Sequence, residues 1–187
     1  MTMKKTVLIG AMMSMLVFSA CAKAEKAPTI PSKPEGMSEE QYTKTVGIIE
    51  SAQKKIQESK DAFPQEAYLE LGLYYQVLQD YDQSITALEK VLKEQPTNFN
   101  ALNNIAVSYE SKGDKQKALE YYGKLADAYP ESWEALSDTL RLFKELDRKD
   151  DGIKVLEHFI QNYPETKDEK FNKFTSQMFE MLNAEKK

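Results

Sequence analysis

Six positions of this chain recur three times at one fixed interval. Tyr68, Leu102 and Leu136 form one series; Gly72, Ala106 and Leu140 form a second; Tyr75, Tyr109 and Phe143 a third. Ser84, Ala118 and Gly152, then Leu88, Tyr122 and Leu156, then Val91, Leu125 and Phe159 complete the set, and Pro96, Pro130 and Pro164 close each unit. A 34-residue period means a stack of like supersecondary units, none of which can bury its apolar face alone. Such a stack presents an extended surface and carries no chemistry by virtue of its fold.

Within each unit the spacing is helical. In residues 65–98, Tyr68, Leu71, Gly72 and Tyr75 fall at steps 0, 3, 4 and 7, and Ser84, Leu88 and Val91 at 0, 4 and 7. Asp80, Tyr81 and Asp82 are read as the turn between the two helices. Residues 99–132 repeat this with Leu102, Ile105, Ala106 and Tyr109, then Ala118, Tyr122 and Leu125. Their turn, Lys112-Gly113-Asp114, puts glycine where a helix end takes left-handed backbone. Residues 133–166 form the third unit. There Trp133 follows Ser132, a helix N-cap residue, and is expected to pack on the preceding hairpin.

The flanks read as one further helix at each side. Ser38 and Gln41 have capping-box spacing, and Tyr42, Val46, Ile49, Ala52 and Ile56 follow as an apolar stripe, which predicts a helix over 38–60. Thr166 and Glu169 repeat the box, and Phe171, Phe174, Met178 and Met181 predict a closing helix over 167–183. Each either caps the stack or binds a partner; a terminal repeat needs a cover.

At the start of the chain, Lys4 and Lys5 precede an apolar run, Thr6 to Ala20, which ends at Cys21. The run is shorter than the roughly 20 residues that span a bilayer, so residues 1–20 read as a signal peptide. Residues 22–37 contain Pro28, Pro31, Pro34 and Gly36 and read as an extended tether, reaching about 50 Å if fully polyproline-like.

The composition excludes several kinds of chemistry. The net charge is −5 and the lysines are interspersed with acids, so no basic stripe offers itself to nucleic acid. His158 is the only histidine and Cys21 the only cysteine, which leaves no metal-ligand cluster and no Cys–His nucleophile in the body. No glycine-rich phosphate loop is present. The pairs Glu39-Glu40 and Asp150-Asp151 stand at helix starts, where acids suit the helix dipole. The chain therefore reads as no enzyme, with no cofactor and no metal.

The repeat residues resemble the tetratricopeptide repeat family. The resemblance implies an all-α, right-handed α-solenoid of helix-turn-helix units with flanking cap helices. Units 65–98 and 99–132 match the family pattern at nearly every defining position. The third departs from it at Thr139, where Leu or Ile is usual, and at Leu140, where a small residue is usual. Gly152 weakens its second helix by about 1 kcal/mol relative to alanine. Looser packing between the two helices of that unit is expected.

In this family the first helices of successive units line a concave groove that takes peptides or a partner's helix. Carried over, the groove positions are Glu66, Leu69 and Leu73; Asn100, Asn103, Asn104 and Val107; and Glu134, Ser137, Asp138 and Arg141. The amides of Asn103 and Asn104 can both donate and accept toward a peptide backbone. The family's carboxylate clamp needs bases and asparagines where this chain has Leu69, Leu73, Asn104, Glu134 and Asp138. Only Asn104 agrees, so an anionic ligand end is not expected.

The run Phe18-Ser19-Ala20-Cys21 resembles the bacterial lipobox, with Phe18 standing where an aliphatic residue is usual. That implies a lipid on Cys21; the alternative is ordinary cleavage after Ala22 or Ala24. Ala22, not being Asp, resembles the outer-membrane rather than the inner-membrane sorting pattern. Together the resemblances imply a lipid-anchored interaction adaptor of the bacterial envelope, at the outer membrane facing the periplasm. Its partners are other proteins or peptides, and it assists assembly of an envelope complex. A soluble periplasmic or secreted binding protein, or a self-associating structural subunit, are the other readings.

Overall fold

The computed structural model describes residues 29–60, 62–162 and 169–184. Cys21, the apolar run before it, Pro164 and Thr166 lie outside them. The described residues form eight α-helices and no strand: α1 (Glu39–Glu58), α2 (Gln65–Val77), α3 (Tyr81–Glu94), α4 (Phe99–Ser111), α5 (Lys115–Ala128), α6 (Trp133–Glu145), α7 (Lys149–Asn162) and α8 (Glu169–Asn183).

Local chemistry sets the helix ends, and it too repeats. Asp80 and Asp114, at matching places in the first two units, cap α3 and α5 by accepting from the backbone N–H of Gln83 and Lys117, each at 3.1 Å. Asn98 and Ser132 cap α4 and α6 in the same way. Ser38 and Gln41 form a complete capping box on α1. The first inter-helix turn falls two residues earlier than the sequence reading has it: Leu78 to Asp80 make the turn, and Tyr81 and Asp82 already belong to α3. Asp80 is the reason, since its side chain caps the helix it precedes.

Gln79, Gly113 and Asp147 follow α2, α4 and α6 at the 34-residue interval, and all have positive φ (59°, 82° and 61°). After each, a backbone N–H reaches back to the carbonyl of Tyr75, Tyr109 or Phe143 at 2.8–2.9 Å. These are three Schellman ends, one per hairpin, of which only the second has the glycine that favours them.

Each helix packs on the next, and α2 also lies beside α4 and α6 beside α8. The even-numbered helices thus form an inner layer and the odd-numbered ones an outer layer. The core runs continuously along the stack. Leu88, fully buried, sits directly on the backbone of α2 at Gly72, where an added Cβ would fall 2.4 Å from its Cγ. Leu140, at the corresponding place on α6, is also fully buried, and α6 and α7 lie less closely together than the helices of the first two hairpins. A leucine on the inner helix holds the outer one away.

Two expectations are corrected. Trp133 does not pack on the preceding hairpin. It stacks on Phe174 of α8 at 5.1 Å and meets Phe171 edge-on at 6.3 Å, while Phe159 stacks on Phe171 at 5.7 Å. The closing helix offers a broad apolar face to the start of α6, and the aromatic side chains gather there. The tether reading of 22–37 is shortened as well, because residues 29–37 lie against the body. Ile30 and Met37 join the core cluster around Ile49 and Leu71. The Tyr42 hydroxyl donates to the Pro31 carbonyl at 2.9 Å, and Gln83 Nε2 donates to the Thr29 carbonyl at 2.7 Å. Two apolar side chains in an otherwise polar segment are enough to dock it.

Candidate functional site

The inner layer places the groove residues on three successive helices. On α2, Glu66 is exposed, Leu69 is half-buried against the cluster of Ile85 and Ile105, and Leu73 is 45% exposed. On α4, Asn100 is exposed and Asn103 half-buried. Val107 packs partly into the second hairpin's core. On α6, Glu134 is exposed, and Ser137, Asp138 and Arg141 are half-buried.

Arg141 and the backbone carbonyl of Asn104 hold hairpins together. Gln76 Nε2 of α2 donates to the Asn104 carbonyl at 2.5 Å and to Ser108 Oγ at 2.8 Å, and Ser108 shares a hydrogen bond with Ser84 at 3.0 Å. Ser84 and Ser108 are fully buried, so this polar seam is a specific joint between the first two hairpins. Arg141 forms a two-pronged pair with Glu110 of α4 at 2.8 and 3.0 Å, and also reaches Glu145 at 2.9 Å and Asp138 at 3.3 Å. Lys115 of α5 pairs with Glu145 at 2.8 Å. The one base that the sequence offers to a ligand on α6 therefore already binds three carboxylates.

This network shifts its members in opposite directions. Lys115 and then Arg141 hold the Glu145 carboxyl below the usual range. Burial pushes Asp138 up, with Glu110 and Glu134 adding to it against the pull of Arg141. Hydrogen bonding to Glu110 raises Arg141 further, and burial followed by the charges of Asp138 and Glu110 raises the Tyr122 phenol. The α6 end of the groove carries more negative than positive groups.

One groove residue escapes the sequence reading. Val77, one turn beyond Leu73 on α2, is 41% exposed. Its counterparts in the next two units, Ser111 and Glu145, are polar. The period alone marks the position as surface; the valine shows only when the residue is weighed against its own environment. Leu69, Leu73 and Val77 form an apolar row leading to the amides of Asn100 and Asn103 and then to the acids of α6.

Among the described residues no group of three or more His, Cys, Asp or Glu side chains is placed to hold a metal ion. His158 is exposed, beside Asn162. No helix of the described residues is long and apolar enough to cross a membrane.

Two family models described as tetratricopeptide repeat match residues 69–132 and 141–166. A stretch of 66 residues, 35% of this chain, is 32% identical to human Superkiller complex protein 3, of which it spans 4%. Among solved structures, the fold is similar to a tetratricopeptide repeat protein from Parabacteroides merdae, with TM-score 0.60 and 18% identity over 75% of this chain and 53% of that one. It is also similar to MamA, with TM-score 0.55 and 21% identity over 65% of this chain and 67% of that one. At these identities the structural likeness concerns the fold. Repeats of this kind are generally scaffolds for other proteins rather than enzymes. With its 34-residue period, its paired helices and these matches, the chain belongs to the tetratricopeptide repeat family.

Proposed function

We propose that this protein is a lipid-anchored adaptor of the bacterial cell envelope that binds other proteins or peptides through the inner face of its repeats and assists assembly of an envelope complex. The observation that carries the binding reading is the apolar row along α2, with Leu73 and Val77 exposed and Leu69 half-buried, beside the Asn100 and Asn103 amides of α4. Apolar surface exposed in a row on a stack built to present surfaces marks a contact site. The excess of carboxylates on α6 suits a ligand that is neutral, basic or partly apolar.

The anchor reading rests on the Phe18-Ser19-Ala20-Cys21 run, with Cys21 as the lipidated residue and the outer membrane, facing the periplasm, as the destination. A lipid there would raise the local concentration of the repeats at the membrane surface. Intact mass of the membrane-fraction protein tests it: an acylated Cys21 is expected, and an unmodified mature chain would remove the anchor from the proposal. The binding reading is tested by crosslinking in the native envelope with Leu73→Asp, at an exposed position, and Asn103→Asp, at a half-buried one. Loss of the same crosslinked partner in both variants is expected, and unchanged recovery in both would end the groove reading.

A further inference from the structure

The first helix is half of a hairpin. Thr45, Ile49 and Ala52 are buried on α1 at steps 0, 4 and 7, the steps that Ser84, Leu88 and Val91 keep on α3 and Ala118, Tyr122 and Leu125 on α5. By this register α1 is an outer helix. Each later outer helix follows an inner helix, whereas α1 follows the short segment 29–37.

The residues that an inner helix would cover can be named. Three steps beyond Ser84 on α3 stands Ala87, buried in the cluster formed with α2; three beyond Thr45 on α1 stands Ile48, which is only half-buried. On α4, Ser108 is fully buried beneath Gln76 of α2; its counterpart one unit earlier is Tyr74 of α2, also half-buried. Met37, Ile48, Tyr74 and Val77 line a cleft of about 450 Å³, and the charged residues on its wall are Lys44 and Glu35. Clefts of roughly 300–1,000 Å³ take ligands. The other end of the stack differs: α8 lies beside α6 and buries Leu136, Leu140 and Leu156. Among the described residues the inner layer is closed at its last position and open at its first.

We propose that this cleft is a docking seat for an amphipathic helix of a partner protein, which adds to the inner layer as the helix before α2. The seat fixes the chemistry of the occupant. It needs apolar side chains at i, i+3 or i+4, and i+7 to fill the space between Ile48, Tyr74 and Val77. Lys44 and Glu35 both line it, so a flanking carboxylate of the occupant is placed for Lys44 and a flanking base for Glu35. The contact continues the interface that α2 makes with α4 and α6 with α8. It shares Val77 with the apolar row of the groove; Met37, Lys44 and Ile48 lie before residue 69, outside the matched repeats, and Asn100, Asn103 and α6 do not line it.

The test uses the full chain in detergent and a displayed library of helices about five turns long, with the stripe positions randomised. Recovered helices are synthesised and their affinities measured by fluorescence anisotropy. Val77→Glu, Ile48→Glu and Lys44→Glu change the seat, and Asn103→Asp changes the groove; circular dichroism confirms that each variant is folded. Helices with an apolar stripe and a flanking carboxylate are expected, weakened at least tenfold by Ile48→Glu and by Lys44→Glu and unaffected by Asn103→Asp; Val77→Glu, at a residue the seat shares with the groove, is expected to weaken them too. Helices weakened by Asn103→Asp and not by Lys44→Glu would overturn the seat while leaving the groove reading standing. Recovery of no helix, or of helices indifferent to all of these changes, would overturn the seat as well. Ile48 is half-buried, so if Ile48→Glu fails to fold, the exposed Lys44 carries the test.

Discussion

Gln79 and Asp147 hold a backbone conformation that costs an L-residue roughly 1–2 kcal/mol, while Gly113, at the same place in the middle hairpin, adopts it freely. Gln79→Gly is expected to stabilise the protein by about 0.5–1 kcal/mol, the relief being partly offset by the freer unfolded chain. Urea denaturation checks it, and a loss of stability would show that the glutamine side chain makes a stabilising contact of its own. Gly72 and Gly123 make a second contrast. A Cβ at Gly72 would collide with Leu88, while one at Gly123 would meet nothing within 4 Å. Gly123→Ala is therefore expected to add about 0.5–1 kcal/mol through helix propensity, and Gly72→Ala to cost more than it gains. The 34-residue alignment reveals the small position at Gly72 but not the reason for it, which is the leucine of the neighbouring helix.

Between elements, the carboxylates around Arg141 make stability depend on pH in two opposed ways. The folded state lowers Glu145, so its contribution is present above the ordinary glutamate value and is lost as pH falls through the lowered one. The folded state raises Asp138, so ionising it costs stability as pH rises from its ordinary value through the raised one. Glu145→Gln should destabilise the protein by about 0.5–1 kcal/mol at pH 7, a modest figure because the site is partly open to solvent, and the difference should close in acid. Asp138→Asn should have the opposite sign at pH 7. Thermal melts from pH 3 to 7 distinguish the two; equal signs would mean that the network acts as one unit. Little of this is legible in the sequence, because Glu110, Arg141 and Lys115 lie on three different helices and meet only when the hairpins stack. The same holds for Arg141 as a groove residue: its position is correct for a ligand, yet its charge is taken up within the protein.

For the whole molecule, stability in a stack is a sum of neighbouring interfaces, so damage should stay local. Phe171 is 2% exposed and meets Trp133 and Phe159. Phe171→Ala is expected to cost about 3–5 kcal/mol at that end. Hydrogen exchange should then show α6 and α7 losing protection while α2 to α5 keep theirs, and uniform loss would mean that the chain unfolds as one unit. The all-α stack, the paired helices and their caps were written in local sequence, because helical period, capping oxygens and turn residues act over a few positions. Trp133 turned toward α8, the segment 29–37 laid on α1, the Gln76–Ser108–Ser84 joint and the open seat beside Val77 were decided only by tertiary structure. Each of these depends on which distant surfaces meet, and a repeat period states that neighbours exist without stating what the first and last of them find beyond the stack.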